Sequence, residues 1–363
     1  MKKGKIRYAY PGGNTPQGFH SFYALGLKNM DRIFILKGGP GTGKSTLIRK
    51  IGLEMADRGY NVEFWHCSSD NDSLDGVIIS DLKTAVVDGT APHVIDPRYP
   101  GVVDQIINLG DHWDERYLKS HKNEIKKLVD EISGRFSAAY EHLHDAKRVY
   151  DEWKNINIAA MDFESANQKA EQLMQEIFNV NAPLVRHMFA GAITPGGLVN
   201  FISNITEDCK TRYILKGLPG TGKSTLIKKI AEGAVDRGYQ TDLYYCALDP
   251  DSLDMVVIPQ LGIAVLDGSI PHVEDPERSG DKIINMLDYL NLDQVNMESE
   301  RLTNMQAEFK HLMNEAVEKI SQAKNLHDKL EGYYIKAMDF ESVENTRKQV
   351  FNKILHQAGR KEV

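Results

Sequence analysis

The sequence Gly38-Gly39-Pro40-Gly41-Thr42-Gly43-Lys44-Ser45-Thr46 recurs as Gly217-Leu218-Pro219-Gly220-Thr221-Gly222-Lys223-Ser224-Thr225. Each copy matches G-x-x-x-x-G-K-[ST], a pattern typical of loops that bind the phosphates of a nucleotide. Glycines let the backbone turn so that its N–H groups form an anion-sized nest at a helix N-terminus. In such loops the lysine reaches the β- and γ-phosphates, and the serine hydroxyl binds Mg²⁺. We therefore expect every residue of both loops to contact a nucleotide.

The sequence around each loop favours the same interpretation. Apolar residues 33–36 and 213–215 precede the loops as short strands, and amphipathic segments follow them as helices. These helices run from Ser45 to about Met55 and from Ser224 to about Ala234. Strand, loop and helix in this order are the context that the motif requires. A glycine-rich turn with a chance lysine is therefore disfavoured, and we predict binding of nucleoside triphosphate.

The composition is typical of a globular protein with two domains. The chain has 363 residues, of which 41% are hydrophobic and 26% charged, so it is long enough for two ordinary cores. Its net charge of −7 argues against a partner such as duplex nucleic acid, which needs a basic face.

Cysteine usage and the lack of targeting patterns favour the cytoplasm. The three cysteines form neither a disulfide framework nor a C-x-x-C pair, which suggests a reducing compartment. The charged N-terminus is not followed by an apolar h-region, and no stretch approaches the ~18 apolar residues of a membrane span. We expect a cytoplasmic protein without membrane contact.

The two loops belong to an internal repeat. Lys44 and Lys223 are 223 − 44 = 179 residues apart, and this offset matches the two copies without a gap from Tyr10 to Pro97. Such self-similarity indicates a duplicated structural unit. Matched pairs outside the loops include Gly12/Gly191, Thr15/Thr194, Pro16/Pro195, Gly18/Gly197, Asp57/Asp236, Arg58/Arg237, Gly59/Gly238, Tyr60/Tyr239, Asp70/Asp249, Asp72/Asp251, Ser73/Ser252, Leu74/Leu253, Asp75/Asp254, Asp88/Asp267 and His93/His272.

Further along the chain the offset changes slightly. Met161–Ser165 corresponds to Met338–Ser342, an offset of 338 − 161 = 177, so the second copy has lost two residues. Asp162 and Asp339 stand where an N-cap would begin a last helix in each copy.

Strands alternate with helices in the first part of each unit. The pattern predicts strands at 6–10 and 62–67 and a third strand that ends at Asp88, with a Gly-, Thr- and Pro-rich turn after the first. Gly59 is placed as the C-cap of the helix after the loop. This alternation favours a parallel sheet.

We therefore predict an α/β protein with the fold of P-loop-containing nucleoside triphosphate hydrolases. It would have two tandem parallel-sheet lobes that pair about a pseudo-two-fold axis, and each lobe would carry a helical arm. The predicted lobes span residues 1–180 and 185–363 with a join near 178–186, and the predicted arms span about 103–178 and 282–357.

Both arms show an apolar seam at helical spacing. Leu128, Ile132 and Phe136 belong to the seam of the first arm, and Leu302, Met305 and Phe309 to that of the second. A one-sided seam packs on another surface. We favour packing on the arm's own lobe or on the other arm, with a docking surface for a partner protein as the alternative.

Asp88 and Asp267 each end an apolar run. An acidic residue at the tip of such a strand is the Walker B pattern, in which the carboxylate holds Mg²⁺ through its water shell. The alternative is a strand-capping aspartate before a glycine turn. Many related ATPases place a glutamate next to activate water, but Gly89 and Gly268 stand there. Another residue must then activate water, or hydrolysis is slow.

Two further pairs are candidates for the missing catalytic role. His93 and His272 follow the aspartates by five residues and could sense the γ-phosphate or position water, although loop histidines more often make local hydrogen bonds. Asp70 and Asp249 open a repeated D-x-D-S-L-D cluster and could act as general bases. The equally weighted alternative for the cluster is an Asx-turn that enters a short helix.

The remaining motifs narrow the interpretation. Cys67 and Cys246 are read as small core residues at strand ends, and Cys209 is given no role. The guanine-reading N-K-x-D pattern is absent from the sequence, which favours ATP over GTP.

The duplicated G-x-P-G-T-G-K-S-T, with T-P-x-G upstream and D-x-D-S-L-D, D-G-x-x-P-H and M-D-F-E-S downstream, resembles a family of tandem P-loop ATPases. This family is found mainly in Gram-positive, spore-forming bacteria, and the resemblance covers essentially the whole chain. Its members are described as ATP-binding proteins or ATPases, and sometimes as nucleotide kinases. The resemblance therefore implies nucleotide binding.

The leading hypothesis is Mg²⁺-dependent ATP binding and hydrolysis at both loops, with the nucleotide state controlling the arrangement of lobes or arms. Lys44 and Lys223 would bind phosphate, and Ser45, Ser224, Asp88 and Asp267 would hold the metal. One alternative is a small-molecule or nucleotide kinase with Asp70 or Asp249 as base. Another is a non-hydrolysing scaffold that ATP stabilises.

Overall fold

The computed structural model describes residues 3–91, 94–177, 185–270, 273–291, 295 and 298–361. The chain forms an α/β protein with two six-stranded sheets, each accompanied by helices. Of the join predicted near 178–186, residues 178–184 lie outside the described residues, and Val185 begins a strand.

The first repeat contains eight strands and five helices in its described part. The strands are β1 (Ile6–Ala9), β2 (Gly12–Thr15), β3 (Gly18–Ser21), β4 (Arg32–Lys37), β5 (Val62–Cys67), β6 (Asp70–Ile79), β7 (Thr84–Asp88) and β8 (Asp104–Asn108). The helices are α1 (Tyr23–Gly26), α2 (Lys44–Asp57), α3 (Glu115–Ser120), α4 (Lys122–Ala159) and α5 (Phe163–Ile177), with 3₁₀ turns at Ser80–Leu82 and Leu109–His112.

The second repeat follows the same order. Its strands are β9 (Val185–Phe189), β10 (Gly191–Thr194), β11 (Gly197–Asn200), β12 (Thr211–Lys216), β13 (Thr241–Cys246), β14 (Asp249–Ile258), β15 (Ile263–Asp267) and β16 (Asp281–Asn285). Its helices are α6 (Ile202–Ile205), α7 (Lys223–Asp236), α8 (Ser299–Ala337) and α9 (Phe340–Lys361), with 3₁₀ turns at Pro259–Leu261 and Met286–Tyr289.

The two large sheets have matching strand orders, β1-β5-β6-β7-β4-β8 and β9-β13-β14-β15-β12-β16. Strands β6 and β14 run antiparallel to both neighbours, and the other pairs are parallel. The prediction of purely parallel sheets is therefore wrong. Ser68 and Ser69 alone separate β5 from β6, whereas a parallel connection needs roughly a dozen residues or more. The chain can only turn back on itself there.

The predicted arms begin too early. Residues 104–108 and 281–285, assigned to the arms at about 103 and 282, instead form β8 and β16 at the edges of the sheets. They pair in parallel with β4 and β12, the strands that lead into the glycine loops. Each strand has only two consecutive isoleucines, which is too short a pattern to distinguish a strand from a helix.

Helix ends agree with the sequence analysis. Gly59 and Gly238 follow α2 and α7 with φ of +93° and +81°, the left-handed conformation that a C-cap glycine supplies. The Oδ1 atoms of Asp162 and Asp339 accept hydrogen bonds of 3.1 Å from the N–H groups of Ser165 and Ser342, so both aspartates cap the helices as predicted.

The last helix of each repeat packs on the sheet of the other repeat. In α9, Val350, Phe351 and Ile354 are buried in the core that α2 forms with the first sheet. In α5, Ala166, Ala170 and Leu173 are buried in the corresponding core of α7 and the second sheet. The sequence repeats at 1–180 and 185–363 thus exchange their C-terminal helices when they fold.

The long helices α4 and α8 pack along each other. Ala139, Leu143 and Trp153 of α4 share a buried cluster with Phe309 and Ile320 of α8. Glu152 pairs with Arg301 and His142 with Glu315, so the helices run antiparallel. The sequence analysis favours packing on the arm's own lobe or on the other arm, and the structure shows packing of one arm on the other.

The two sheets also face each other. Ile35, Trp65 and Val87 of the first sheet share one buried cluster with Ile214 and Met255 of the second. Among the described residues, no helix combines the length and the apolarity that a bilayer crossing requires.

Candidate functional site

Each glycine loop connects a central strand to the helix behind it. The first glycine loop, residues 38–46, joins β4 to α2, and the second glycine loop, residues 217–225, joins β12 to α7. Gly43 and Gly222 directly precede the helices with φ of +87° and +82°, a conformation that disfavours any residue with a Cβ. The free N–H groups of each helix N-terminus thereby face the loop, as an anion site requires.

The motif lysines close the loops on themselves. Lys44 Nζ donates hydrogen bonds to the carbonyl oxygens of Gly38 and Gly39 at 2.8 and 2.7 Å. Lys223 Nζ repeats this with Gly217 at 2.9 Å and Leu218 at 2.8 Å. Both ammonium groups are therefore held at the mouth of the nest.

The predicted metal-binding aspartates lie beside these lysines. Asp88 Oδ2 is 3.5 Å from Lys44 Nζ, and Asp267 Oδ2 is 3.5 Å from Lys223 Nζ. This proximity follows from the sheet, because β7 and β15 pair directly with the loop strands and end in register with them. Burial raises the pKa of Asp267, and the Lys223 ammonium opposes this shift.

The loop serines connect the helices to the antiparallel strands. Ser45 Oγ accepts a hydrogen bond of 2.9 Å from the Leu74 N–H, and Ser224 Oγ accepts one of 3.0 Å from the Leu253 N–H. The loop lysine, the loop serine and the aspartate at the end of the neighbouring strand are thus brought to one edge of each sheet. The sequence predicted this grouping at both loops.

The sequence analysis did not identify Lys37 and Lys216, which fix the backbone next to the strand-end aspartates. Lys37 Nζ donates to the carbonyl oxygens of Gly89 and Ile95 at 2.8 Å each, and Lys216 Nζ binds the matching carbonyls of Gly268 and Glu274. These lysines hold the segment that follows each aspartate. The sequence feature that could have identified them is a lysine directly before each glycine loop. The predicted His93 and His272 belong to these segments but lie outside the described residues.

The D-x-D-S-L-D cluster is the start of strands β6 and β14, so the alternative of an Asx-turn that enters a short helix is wrong. Asp70 Oδ2 lies 3.4 Å from Lys324 Nζ. Asp249 Oδ2 lies 3.9 Å from Lys147 Nζ and 3.7 Å from Lys154 Nζ. Both carboxylates are therefore paired with ammonium groups of the long helices.

A different carboxylate of the cluster has the properties of a base. Burial raises the pKa of Asp254 to about 7, and the neighbouring Asp267 carboxylate adds to the shift. A general base works best with a pKa near the operating pH. In the first repeat the matching Asp75 accepts a hydrogen bond of 2.6 Å from the Tyr23 hydroxyl. The sequence analysis placed Asp75 and Asp254 in the cluster, but it named Asp70 and Asp249 as the candidate bases.

The long helices cover the glycine loops of the opposite repeats. Gly41 N–H donates to Glu331 Oε1 of α8 at 3.2 Å. Asn157 Nδ2 of α4 donates to the Pro219 carbonyl of the second loop at 2.6 Å. The sequence could not predict these contacts, because no local pattern links a loop to a helix of the other repeat.

A cavity of about 540 Å³ lies near the second loop. It lies between the turn from α4 to α5 and the segment 288–291. A Cβ placed on Gly222 would lie 3.9 Å from Met161 of the cavity wall, but no residue of the second glycine loop lines the cavity.

The cysteines have the structural character predicted for them. Cys67 and Cys246 end β5 and β13, and burial raises the pKa of both thiols well above the usual value. Neutral thiols are poor nucleophiles and metal ligands.

Comparisons of the chain with protein-family models, with curated proteins and with solved structures found no match. The functional argument therefore depends on the site itself.

Proposed function

We propose that the protein has the P-loop nucleoside triphosphate hydrolase fold and binds Mg²⁺-ATP at both glycine loops, with ATPase activity. The observation that carries this proposal is the repeated grouping of a helix N-terminus, a buried lysine and an aspartate. The side chains of Lys44 and Lys223 are only 10% and 6% exposed, and each lies 3.5 Å from its aspartate. Both copies of the duplicated unit retain this arrangement, which favours a shared chemical purpose.

The residues present fit a magnesium nucleotide. Backbone N–H groups and the lysine would bind phosphate oxygens. Ser45 with Asp88, and Ser224 with Asp267, offer the hard oxygen ligands and water-shell contacts that Mg²⁺ prefers. The metal, when bound, would neutralise charge on the phosphates. ATP is preferred over GTP because the N-K-x-D pattern is absent from the sequence.

The arms provide a route by which the nucleotide state would control arrangement. Glu331 already takes one N–H donor of the first loop, and Asn157 holds the backbone of the second. A triphosphate that enters the first loop must compete with Glu331 for the Gly41 N–H. One that enters the second loop binds a backbone that Asn157 holds through the Pro219 carbonyl. Binding and release would thereby change how firmly each arm sits on the opposite repeat.

The kinase alternative is less well supported. It needs Asp70 or Asp249 to take a proton from an acceptor hydroxyl, and both are paired with arm lysines. The scaffold alternative differs from an ATPase only in turnover, which the following experiment measures.

The test compares the wild-type chain with the Lys44→Ala/Lys223→Ala double variant. Calorimetric titration with Mg²⁺-ATP and an assay of ADP release should detect binding and turnover in the wild type and neither in the double variant. Lys310→Ala, at an exposed lysine of α8, is the matched control. Unchanged binding and turnover in the double variant would remove the proposal, and binding without ADP release would favour the scaffold.

A further inference from the structure

We propose that the two loops are not equivalent and that the second loop is the hydrolysing one, with Lys154 of the first arm as its catalytic cation. The inference rests on the proposed function and assigns the reaction to one of its two sites. It follows from a difference in charge between corresponding positions of the two arms.

Lys154 and Glu331 occupy the same position in the two repeats. Their separation is 331 − 154 = 177, the offset that applies throughout the arms. A Cβ on Gly41 would lie 2.8 Å from the Glu331 carbonyl oxygen, and one on Gly220 would overlap the Lys154 carbonyl oxygen. Corresponding turns of α8 and α4 thus contact corresponding glycines of the two loops. The turn of α8 carries the negative charge of Glu331, and the turn of α4 carries the positive charge of Lys154.

At the first loop the charge opposes a nucleotide. Glu331 Oε1 lies 3.2 Å from the Gly41 nitrogen, so the carboxylate uses an N–H group that would otherwise be available to phosphate. Two like charges cannot share an anion nest without repulsion. A nucleotide there must displace this carboxylate.

At the second loop the charge assists a nucleotide. Lys154 Nζ lies 3.7 Å from Asp249 Oδ2, and its side chain is 35% exposed, so the ammonium can exchange this pairing for phosphate oxygens. Cations supplied by another segment stabilise the charge that develops on a transferred phosphoryl group. Asp249 would then orient the lysine, because Lys147 of the same helix remains beside it at 3.9 Å.

The packing around the charged residues is matched separately at each loop. Tyr334 covers Gly39 of the first loop, where a Cβ would overlap the ring. The second loop has Leu218 at this position, and the arm has the smaller Asn157, which donates to Pro219 O. The packing of each arm therefore suits the loop of the opposite repeat that it covers. The residues that differ in charge are thus held in place by this packing.

A third pair of corresponding residues, Tyr23 and Ile202, also differs between the two repeats. Tyr23 donates to Asp75 at 2.6 Å, and the residue that corresponds to Tyr23, 202 − 23 = 179 positions later, is Ile202. Isoleucine cannot donate a hydrogen bond, so Asp254 lacks the tyrosine donor that Asp75 has and is hydrogen-bonded by the Cys246 thiol instead. The two corresponding buried carboxylates therefore have different donors.

The experiment measures turnover and Mg²⁺-ATP affinity in full-length variants. Lys223→Ala should lose about 10²-fold or more of the turnover, and Lys44→Ala should lose clearly less than Lys223→Ala. Lys154→Ala should lower kcat by about 10²-fold with little change in affinity, and Lys154→Arg should recover part of the loss. Lys126→Ala, at an exposed lysine of the same helix, is the control.

The first loop is tested through affinity. Glu331→Gln keeps an oxygen for the Gly41 N–H but removes the charge. In the Lys223→Ala background it should tighten Mg²⁺-ATP binding by about tenfold, and in the Lys44→Ala background it should change nothing. Glu308→Gln, at an exposed glutamate of α8, is the control.

The outcomes separate the two proposals. If the wild type binds no Mg²⁺-ATP, the proposed function fails and this inference fails with it. If binding and turnover are present, three results each overturn the inference alone. These are equal losses of turnover in Lys44→Ala and Lys223→Ala, a kcat for Lys154→Ala within about twofold of the wild type, and unchanged affinity in Glu331→Gln.

Discussion

Tyr334 of helix α8 lies directly over Gly39 of the first glycine loop, so closely that the ring occupies the place of a glycine Cβ. These residues are 295 positions apart (334 − 39) and belong to different repeats. The contact makes the docking of the second arm sensitive to the size of one loop residue. The two loops differ at this position alone.

Gly39→Leu, which copies the second loop, should therefore destabilise the protein. Overpacking of a closed contact costs about 1–3 kcal/mol. Adding Tyr334→Asn, which copies the other arm, should recover most of this loss, and urea denaturation of the single and double variants would measure the coupling. If the stability losses of Gly39→Leu and Tyr334→Asn simply add in the double variant, the two side chains are not in contact.

The buried Asp254 should make stability depend on pH. Burial raises its pKa from 3.8 to about 7, so the folded protein holds this proton where the unfolded chain has released it. This carboxyl therefore lowers stability progressively as pH rises from about 4 to about 7. Asp254→Asn should increase the free energy of unfolding by roughly 1–4 kcal/mol at pH 8.

The same variant provides its own control at low pH. Near pH 4 the folded wild-type carboxyl is neutral, and the gain from Asp254→Asn should shrink towards zero. Urea denaturation at both pH values gives the difference. A gain that is the same at pH 4 and pH 8 would mean that titration of Asp254 is not its source.

Arg186 holds two buried carboxylates at the contact between the repeats. Its guanidinium lies 2.6 Å from Glu63 Oε1 and 3.6 Å from Asp242 Oδ2. Burial raises the pKa of Glu63, but Arg186 outweighs it and leaves the pKa below its usual value. Arg186→Met should cost about 3–5 kcal/mol, because it removes the cation that directly contacts these buried carboxylates.

The corresponding Arg7 offers a matched control, since 186 − 7 = 179. Arg7 is 39% exposed and lies 3.5 Å from Asp208. Exposed ion pairs contribute about 0–1 kcal/mol, so Arg7→Met should change the urea midpoint far less. Equal losses in the two variants would contradict the role given to Arg186.

Glu344 should contribute to stability only above acidic pH. Its hydrogen bonds from Arg347 lower its pKa to about 2, and Arg347 also reaches Glu54 of α2 at 2.6 Å. A lowered carboxyl pKa stabilises the fold above about pH 4.5, and this contribution is lost as pH falls towards 2. Glu344→Gln should lower the melting temperature at pH 7 and have little effect near pH 2.

Local features were well predicted from sequence. The loops, the strand Val62–Cys67, the strand that ends at Asp88, and the caps Asp162 and Asp339 follow from short-range patterns. Their physical causes lie within a few residues of each other, in glycine conformation, apolar runs and side-chain capping.

What failed or was missed depends on distant parts of the chain. Strand β6 looks like a polar loop because its first residues, Asp70–Ser73, are hydrophilic. Its strand character comes from a pairing with β5 that begins at Asp70, and from pairing of Gly76–Ile79 with β7. The contrast between Lys154 and Glu331 is visible in the aligned repeats. Its meaning depends on the helices crossing to the opposite loops, which no local pattern encodes.

The exchange of α5 and α9 between the repeats bears on how such a protein could have arisen. One repeat alone would leave the apolar face of its last helix and the outer side of its own sheet without partners. Two identical copies could satisfy both by mutual insertion, as an intertwined homodimer. We expect the first repeat, expressed by itself, to sediment as a dimer. Fusion of two such copies would then have freed each half to acquire its own charge at the loops.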